Sequence, residues 1–124
     1  MRIQFESLAR WKYRLTAELV LQSSIRDQYL RTEYIELKYD GTLTLRKGYA
    51  WDGPSGPTID TADSMRGSAG HDALYQLIEL GLIPDRLRIH ADADLRTWCM
   101  DDGMSELRAN AWYKAVRIFG GSHV

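Results

Sequence analysis

One run of the chain, His71-Asp72-Ala73-Leu74-Tyr75, joins a histidine to a carboxylate and, one helical turn on, to a phenol. A histidine held in one orientation by a carboxylate can take a proton from water, the general-base step of ester or amide hydrolysis. The carboxylate whose spacing fits that role is Asp92. Offsets of three, four and seven from His71 give Leu74, Tyr75 and Ile78, so the histidine lies on an apolar helical stripe. Offsets of three and seven from Asp92 give Leu95 and Cys99, again an inward face. The turn Gly81-Leu82-Ile83-Pro84 lies between them. Counted from Leu82, the two residues are about equally far away, so at roughly 1.5 Å rise per residue they reach the same level of two antiparallel helices. A buried carboxylate needs a partner, because desolvation penalises its charge. The pair has two readings: a catalytic dyad with Tyr75 lining the same pocket, or a satisfied polar pair that locks two helices together.

Asp72 points about a hundred degrees away from His71, toward the side where the bent loop Trp51-Asp52-Gly53-Pro54-Ser55-Gly56-Pro57 would arrive. Asp72 is the candidate ligand for a hard cation, with backbone oxygens of the loop, and its alternative is a charge on a solvated helix flank. Asp52, Gly53 and Ser55 are the candidate binding residues of the loop. Asp52 and Ser55 also suit turns that bond their own backbone. Ser55 lies in no Gly-x-Ser-x-Gly elbow, so it is a poor nucleophile. The other histidines are His90 and His123. No further histidine precedes His71-Asp72, as a metal-dependent His-Asp phosphohydrolase requires, and no His-Glu-x-x-His is present. His90 reads as surface, and Cys99 as a small core residue.

These residues need elements to hold them. Tyr13, Leu15, Ala17, Leu19 and Leu21 alternate with mostly polar residues, the period of a half-buried strand. Ile35, Leu37 and Tyr39 alternate, Asp40-Gly41 follows, and Leu43 and Leu45 alternate again, which predicts a tight hairpin. Ile3 and Phe5 suggest an edge strand. The period then changes. Helices are expected over about 64–80, 85–100 and 105–119, ended by Gly81, Gly103 and Gly120-Gly121. The last helix is read with Leu107, Ala111, Ala115, Val116 and Phe119 as its apolar face, and Trp98, Trp112, Tyr113 and Phe119 are read as core. The class is α+β, a small N-terminal antiparallel sheet followed by about three helices packed on it. The expected organisation is one domain over 1–124: strands over 1–50, a Gly/Pro-rich loop over 51–63, helices over 64–120.

Composition bounds the function. The 124 residues carry 44% hydrophobic and 27% charged residues, a globular balance. A net charge of −1 argues against a dedicated nucleic-acid binder. One cysteine cannot form an internal disulfide. No apolar run reaches membrane-spanning length, and Met1-Arg2-Ile3-Gln4-Phe5-Glu6 lacks an apolar signal core, so a soluble chain made in the cytoplasm is expected.

Four ordered motifs carry a resemblance. They are the loop at 51–57, His71-Asp72-Ala73-Leu74-Tyr75, Ala91-Asp92-Ala93-Asp94-Leu95, and Tyr113-Lys114-Ala115-Val116-Arg117-Ile118-Phe119-Gly120. Together they resemble the phage and prophage family known as domain of unknown function 1353, over nearly the whole chain. The chain departs from that pattern at Trp51, where the family usually has threonine. The resemblance implies a phage or prophage origin, hence synthesis in a host cytoplasm and potential association with the virion. It implies no activity. The His-Asp-x-x-Tyr site is also similar to that of phospholipase A2. By that likeness His71 activates water, Asp92 orients it, and Asp72 with loop carbonyls holds calcium.

The sequence therefore supports a small phage-encoded hydrolase, with or without metal assistance, acting on ester or amide bonds of the host envelope. The alternative is a virion, tail or assembly accessory that contacts other phage structural proteins, with a structural His-Asp cluster. Inhibition of a host protein is a third reading. Substrate, metal and oligomeric state are not legible in the sequence.

Overall fold

A computed structural model describes residues 3–7, 13–52 and 61–120. Strands come first and helices after, as the change of period requires. The alternation that begins at Tyr13 is interrupted. Strand β2 (Tyr13–Leu15) and strand β3 (Leu19–Gln22) are separated by a bend at 16–18, and they join different sheets. β2 lies between β1 (Phe5–Ser7) and β7 (Ala50–Trp51). β3 pairs with β6 (Thr42–Leu45), which pairs with β5 (Ile35–Leu37), which pairs with β4 (Leu30–Arg31). All these pairings are antiparallel. The phase survives the bend, so Leu15, Leu19 and Leu21 all point into the core. The expectation of a small antiparallel sheet thus becomes two sheets that share one alternating run.

The Asp40-Gly41 hairpin joins β5 and β6. The Asp40 side chain accepts from the Thr42 N–H at 2.9 Å, and the Gly41 N–H reaches the Lys38 carbonyl at 2.9 Å. The strand stops at Leu37, so Tyr39 belongs to the turn and is exposed.

Helix α1 spans Ala62–Glu79, a 3-10 turn covers Asp85–Leu87, α2 spans Arg88–Asp101 and α3 spans Glu106–Phe119. Both turns between helices are closed by a glycine with positive φ, Gly81 at 73° and Gly103 at 102°. In each, the next N–H returns to a carbonyl five residues back: Leu82 to Leu77 at 2.9 Å and Met104 to Cys99 at 3.0 Å. That arrangement satisfies the last carbonyls of a helix, and an L-residue adopts the glycine's conformation only under strain. It also reverses the chain sharply, so successive helices run antiparallel.

The main core lies between the sheets and α1. Leu15, Leu37, Leu43 and Leu45 meet Ala69, Ala73, Leu74 and Leu77. A second cluster joins α2 to α3 through Leu95, Cys99, Met104, Ala109 and Trp112. The inward face of α3 is therefore Ala109 and Trp112, with Val116 packed against it. This corrects the expected face: Leu107, Ala111 and Phe119 are exposed, and Tyr113 is half-buried. The helix carries apolar residues on two opposite sides, and periodicity alone does not say which side meets the protein.

α1 approaches its neighbours through small residues. A Cβ on Gly67 would lie 2.9 Å from Cys99 Sγ. One on Gly70 would lie 2.5 Å from the Trp98 ring and 2.7 Å from a Leu21 methyl. Alanine at position 70 gains about 1 kcal/mol of helix propensity, but it overpacks a site bounded by an indole and a leucine, which costs about 1–3 kcal/mol. The larger effect should win. Gly70→Ala is expected to lower the urea midpoint with an unchanged slope, and a raised midpoint would contradict this packing.

Candidate functional site

Asp92 is the centre of the site. It is 0% exposed and accepts three side-chain donors. His71 Nε2 lies 2.7 Å from Oδ1, the Tyr75 hydroxyl donates to the same oxygen at 2.6 Å, and Arg117 donates to Oδ2 at 2.8 Å. Each donor is where it is for a local reason. His71 and Tyr75 are one turn apart on the inward stripe of α1. Asp92 lies one turn into α2, and Arg117 is in the last turn of α3, where a cation also suits the helix C-terminus. The cluster thus joins all three helices.

Burial works against the Asp92 charge, but the bonds from His71, Tyr75 and Arg117 outweigh it and hold the carboxyl below its usual range. Burial and the bond to Asp92 push the Tyr75 phenol above its usual value, so it stays a neutral donor. The His71 and Tyr75 rings lie 4.2 Å apart between centroids, and the Arg88 guanidinium sits 5.7 Å over the Tyr75 ring. Gly120 closes the cluster: a Cβ there would come within 2.1 Å of the Tyr75 hydroxyl oxygen.

The second ring nitrogen of His71 decides what the cluster can do chemically. The side chain keeps 10% of its surface exposed. Nδ1 has no hydrogen bond among the described residues, and there every buried side-chain nitrogen and oxygen has a partner. Nδ1 is thus not used by the cluster itself. A carboxylate fixes one nitrogen as the donor, which leaves Nδ1 as an open acceptor.

Asp72 is half-buried on the adjoining face of α1. Burial and the neighbouring Asp52 push its carboxyl up to about 7, although the Asp52 backbone N–H donates to it. The start of the loop thus reaches the helix that carries His71, with the exposed Asp52 against Asp72. Gly53 and Ser55 lie outside the described residues. As oxygen donors on one spot, Asp52 and Asp72 fit a hard cation, whose charge would relieve their mutual repulsion. Among the described residues no group of three or more His, Cys, Asp or Glu is arranged to hold a metal. A groove of about 510 Å³ includes Tyr49 and Gln76 in its lining, the latter one turn from Asp72, but not His71.

Two residues of the site were given no role by sequence reasoning. Arg117 stood only as a letter in the final motif, although its place near a helix end was a signal. Asp94 lies two residues from Asp92 and faces the other way. It accepts from Ser23 Oγ at 2.5 Å and from the Ser24 N–H at 3.0 Å, which ties α2 to the sheet. His90 is exposed and Cys99 is buried, its thiol pushed up to about 12 by burial and nearby carboxylates.

Comparison with protein-family models, with curated proteins and with solved structures finds no match to this chain. No helix of the described residues is long and apolar enough to cross a membrane. The reading of the site therefore rests on its own geometry.

The lowered pKa of Asp92 has a consequence for stability. A carboxylate depressed in the folded state stabilises the fold above its unfolded value of about 3.9 and loses that contribution as pH falls through the folded value. Urea midpoints should therefore fall steeply below about pH 4. Asp92→Asn should flatten that fall. It should also cost about 3–5 kcal/mol at neutral pH, because it leaves Arg117 without its counter-charge. An unchanged midpoint at pH 7 would show that the cluster does not hold the helices.

Proposed function

We propose that the chain is a small hydrolase of phage origin that acts on ester or amide bonds of a host envelope. The observation that carries the reading is the asymmetry of His71. One nitrogen is anchored on a fully buried carboxylate, and the other has no hydrogen bond among the described residues, on a side chain that keeps 10% of its surface exposed. A purely structural pair needs the first feature and not the second. The phage origin is supported by the resemblance of the four motifs, and the envelope target is proposed from that origin alone.

In this mechanism Asp92 and Tyr75 hold the imidazole, and Nδ1 takes a proton from a water molecule. The water oxygen attacks the substrate carbonyl carbon. The proton on Nδ1 then passes to the leaving alkoxide or amine as the bond to it breaks, which yields the acid and the alcohol or amine. Arg117 keeps Asp92 ionised through the cycle. Asp72 with Asp52 would hold a divalent cation such as calcium. When bound, such an ion supplies positive charge for the developing oxyanion.

Hydrolysis of p-nitrophenyl butyrate and of a long-chain p-nitrophenyl ester, with calcium and with chelator, tests the reading. His71→Asn should retain the fold and lose about two to four orders of magnitude in rate. If neither ester is cleaved and His71→Asn only lowers the unfolding midpoint, the cluster is structural, and a virion or assembly accessory becomes the better account.

Asp72 supplies an independent check. Its raised pKa means that the folded state keeps a proton that the unfolded state has lost, so stability falls as pH rises from about 4 to about 7. At pH 8 without divalent cations, Asp72→Asn should melt higher than the parent chain. Millimolar calcium should raise the parent's melting temperature and leave the variant's unchanged. Equal calcium responses in the two would remove Asp72 as a ligand.

A further inference from the structure

The three helices place their ends in two groups. Arg66 on Asp102 and Arg108 on Asp63 bind one end of the layer. The Asp92 cluster binds the other, where α1 finishes, α2 starts and α3 finishes. That second end is apolar outside as well as polar inside. Leu82 and Ile89 are each 46% exposed, and Ile118 is 71% exposed. Ile118 continues along α3 into an outward stripe with Ala111 and Leu107, the last 85% exposed, on the side opposite the buried Ala109 and Trp112.

Cations surround this patch. Arg86 and Lys114, which have no ion pair among the described residues, belong to it with Arg88, paired with Asp85, and Arg117, paired with Asp92, against the exposed carboxylate Glu79. In a chain of net charge −1 this leaves a small local basic excess carried by Arg86 and Lys114. His71 lies one turn of α1 from Tyr75, which touches Gly120 and Arg88 at this same end.

We infer that this end of the helical layer seats on an anionic lipid surface, with Leu82, Ile89 and Ile118 entering the interface and the basic side chains pairing with headgroup phosphates. The charge pattern selects this occupant. Exposed apolar residues flanked by lysine and arginine are drawn to anionic interfaces by both forces at once. A two-fold pairing of this face with a second copy would bring its own cations together. The inference deepens the hydrolase reading, on which it rests for its purpose: the surface would present a membrane-borne ester beside His71.

Co-sedimentation of the full chain with phosphatidylglycerol vesicles tests it, with phosphatidylcholine vesicles as the neutral control. Binding to the anionic vesicles is expected, weakening as salt is raised. The double variants Leu82→Ser/Ile118→Ser and Arg86→Glu/Lys114→Glu should each reduce partition about ten-fold or more. All four positions lie outside the Asp92 cluster, so these variants should keep the fold. Failure to bind the anionic vesicles, or binding that neither variant weakens, overturns the inference. So does a dimer, seen by light scattering, that the first variant dissolves, since a second copy then covers the face. The two readings fail separately. Vesicle binding without ester cleavage removes the hydrolase alone, and cleavage of p-nitrophenyl butyrate without vesicle binding removes the lipid surface alone.

Discussion

A single buried carboxylate sets the arrangement of the helical half. Asp92 has no exposed surface, yet it stays ionised because three side chains from two other helices give it hydrogen bonds. The desolvation of such a charge costs several kcal/mol, and only good geometry with every lone pair engaged offsets it. That requirement fixes the level of α1 against α2 and brings the last turn of α3 to Arg117. It also explains Gly120, where any side chain would displace the Tyr75 hydroxyl. The helix ends are thus positioned by a polar constraint, and the apolar contacts of Leu74, Leu77 and Trp98 pack around it.

A second carboxylate, Asp94, extends the constraint to the strands. Asp92 and Asp94 lie about two hundred degrees apart around α2, so one faces α1 and α3 while the other reaches Ser23 and Ser24 after β3. The indole of Trp98 bonds the Gln22 carbonyl at 2.9 Å from the same helix. On the other side of the core, Trp51 at the end of β7 donates to Ser68 of α1 at 3.0 Å. Sheet and helices are therefore registered by directional bonds at both edges. These bonds hold the helix that carries His71 against the sheet from both edges.

Much of this was legible in the sequence, for identifiable reasons. The His71–Asp92 contact followed from counting outward from the Gly81 turn, because helices of fixed rise joined by a short reversal leave little freedom. Asp40-Gly41 gave its hairpin because the turn chemistry is local. The break between β2 and β3 was hidden, since a bend of three residues keeps the alternation in phase and nothing in the pattern marks it. The face of α3 was misread because Leu107, Ala111 and Ala115 recur at helical spacing as regularly as Ala109, Trp112 and Val116. Arg117 had no role because the third donor to a buried carboxylate comes from wherever the fold delivers it, and no spacing rule reaches from α3 to α2.

The two aspartates nearest His71 show how neighbouring groups are given opposite tasks. Asp92 is buried more completely, yet it is the one held ionised, because its donors are fixed. Asp72 has its carboxyl pushed up to about 7, first by burial and then by the neighbouring Asp52, with only the Asp52 backbone N–H donating against them. Burial raises both, and the donors decide the difference. A permanent anion on one side of an imidazole orients the ring and stabilises it when it takes a proton. An underpaired carboxylate on the adjoining face keeps an unmet demand for positive charge, which a proton meets at low pH and a cation can meet at high pH. A purely structural cluster has a use for the first arrangement, since it stabilises the fold at neutral pH. The second lowers stability at the same pH. That unmet demand, one residue from His71, is the feature on which the proposed hydrolase and the structural alternative differ.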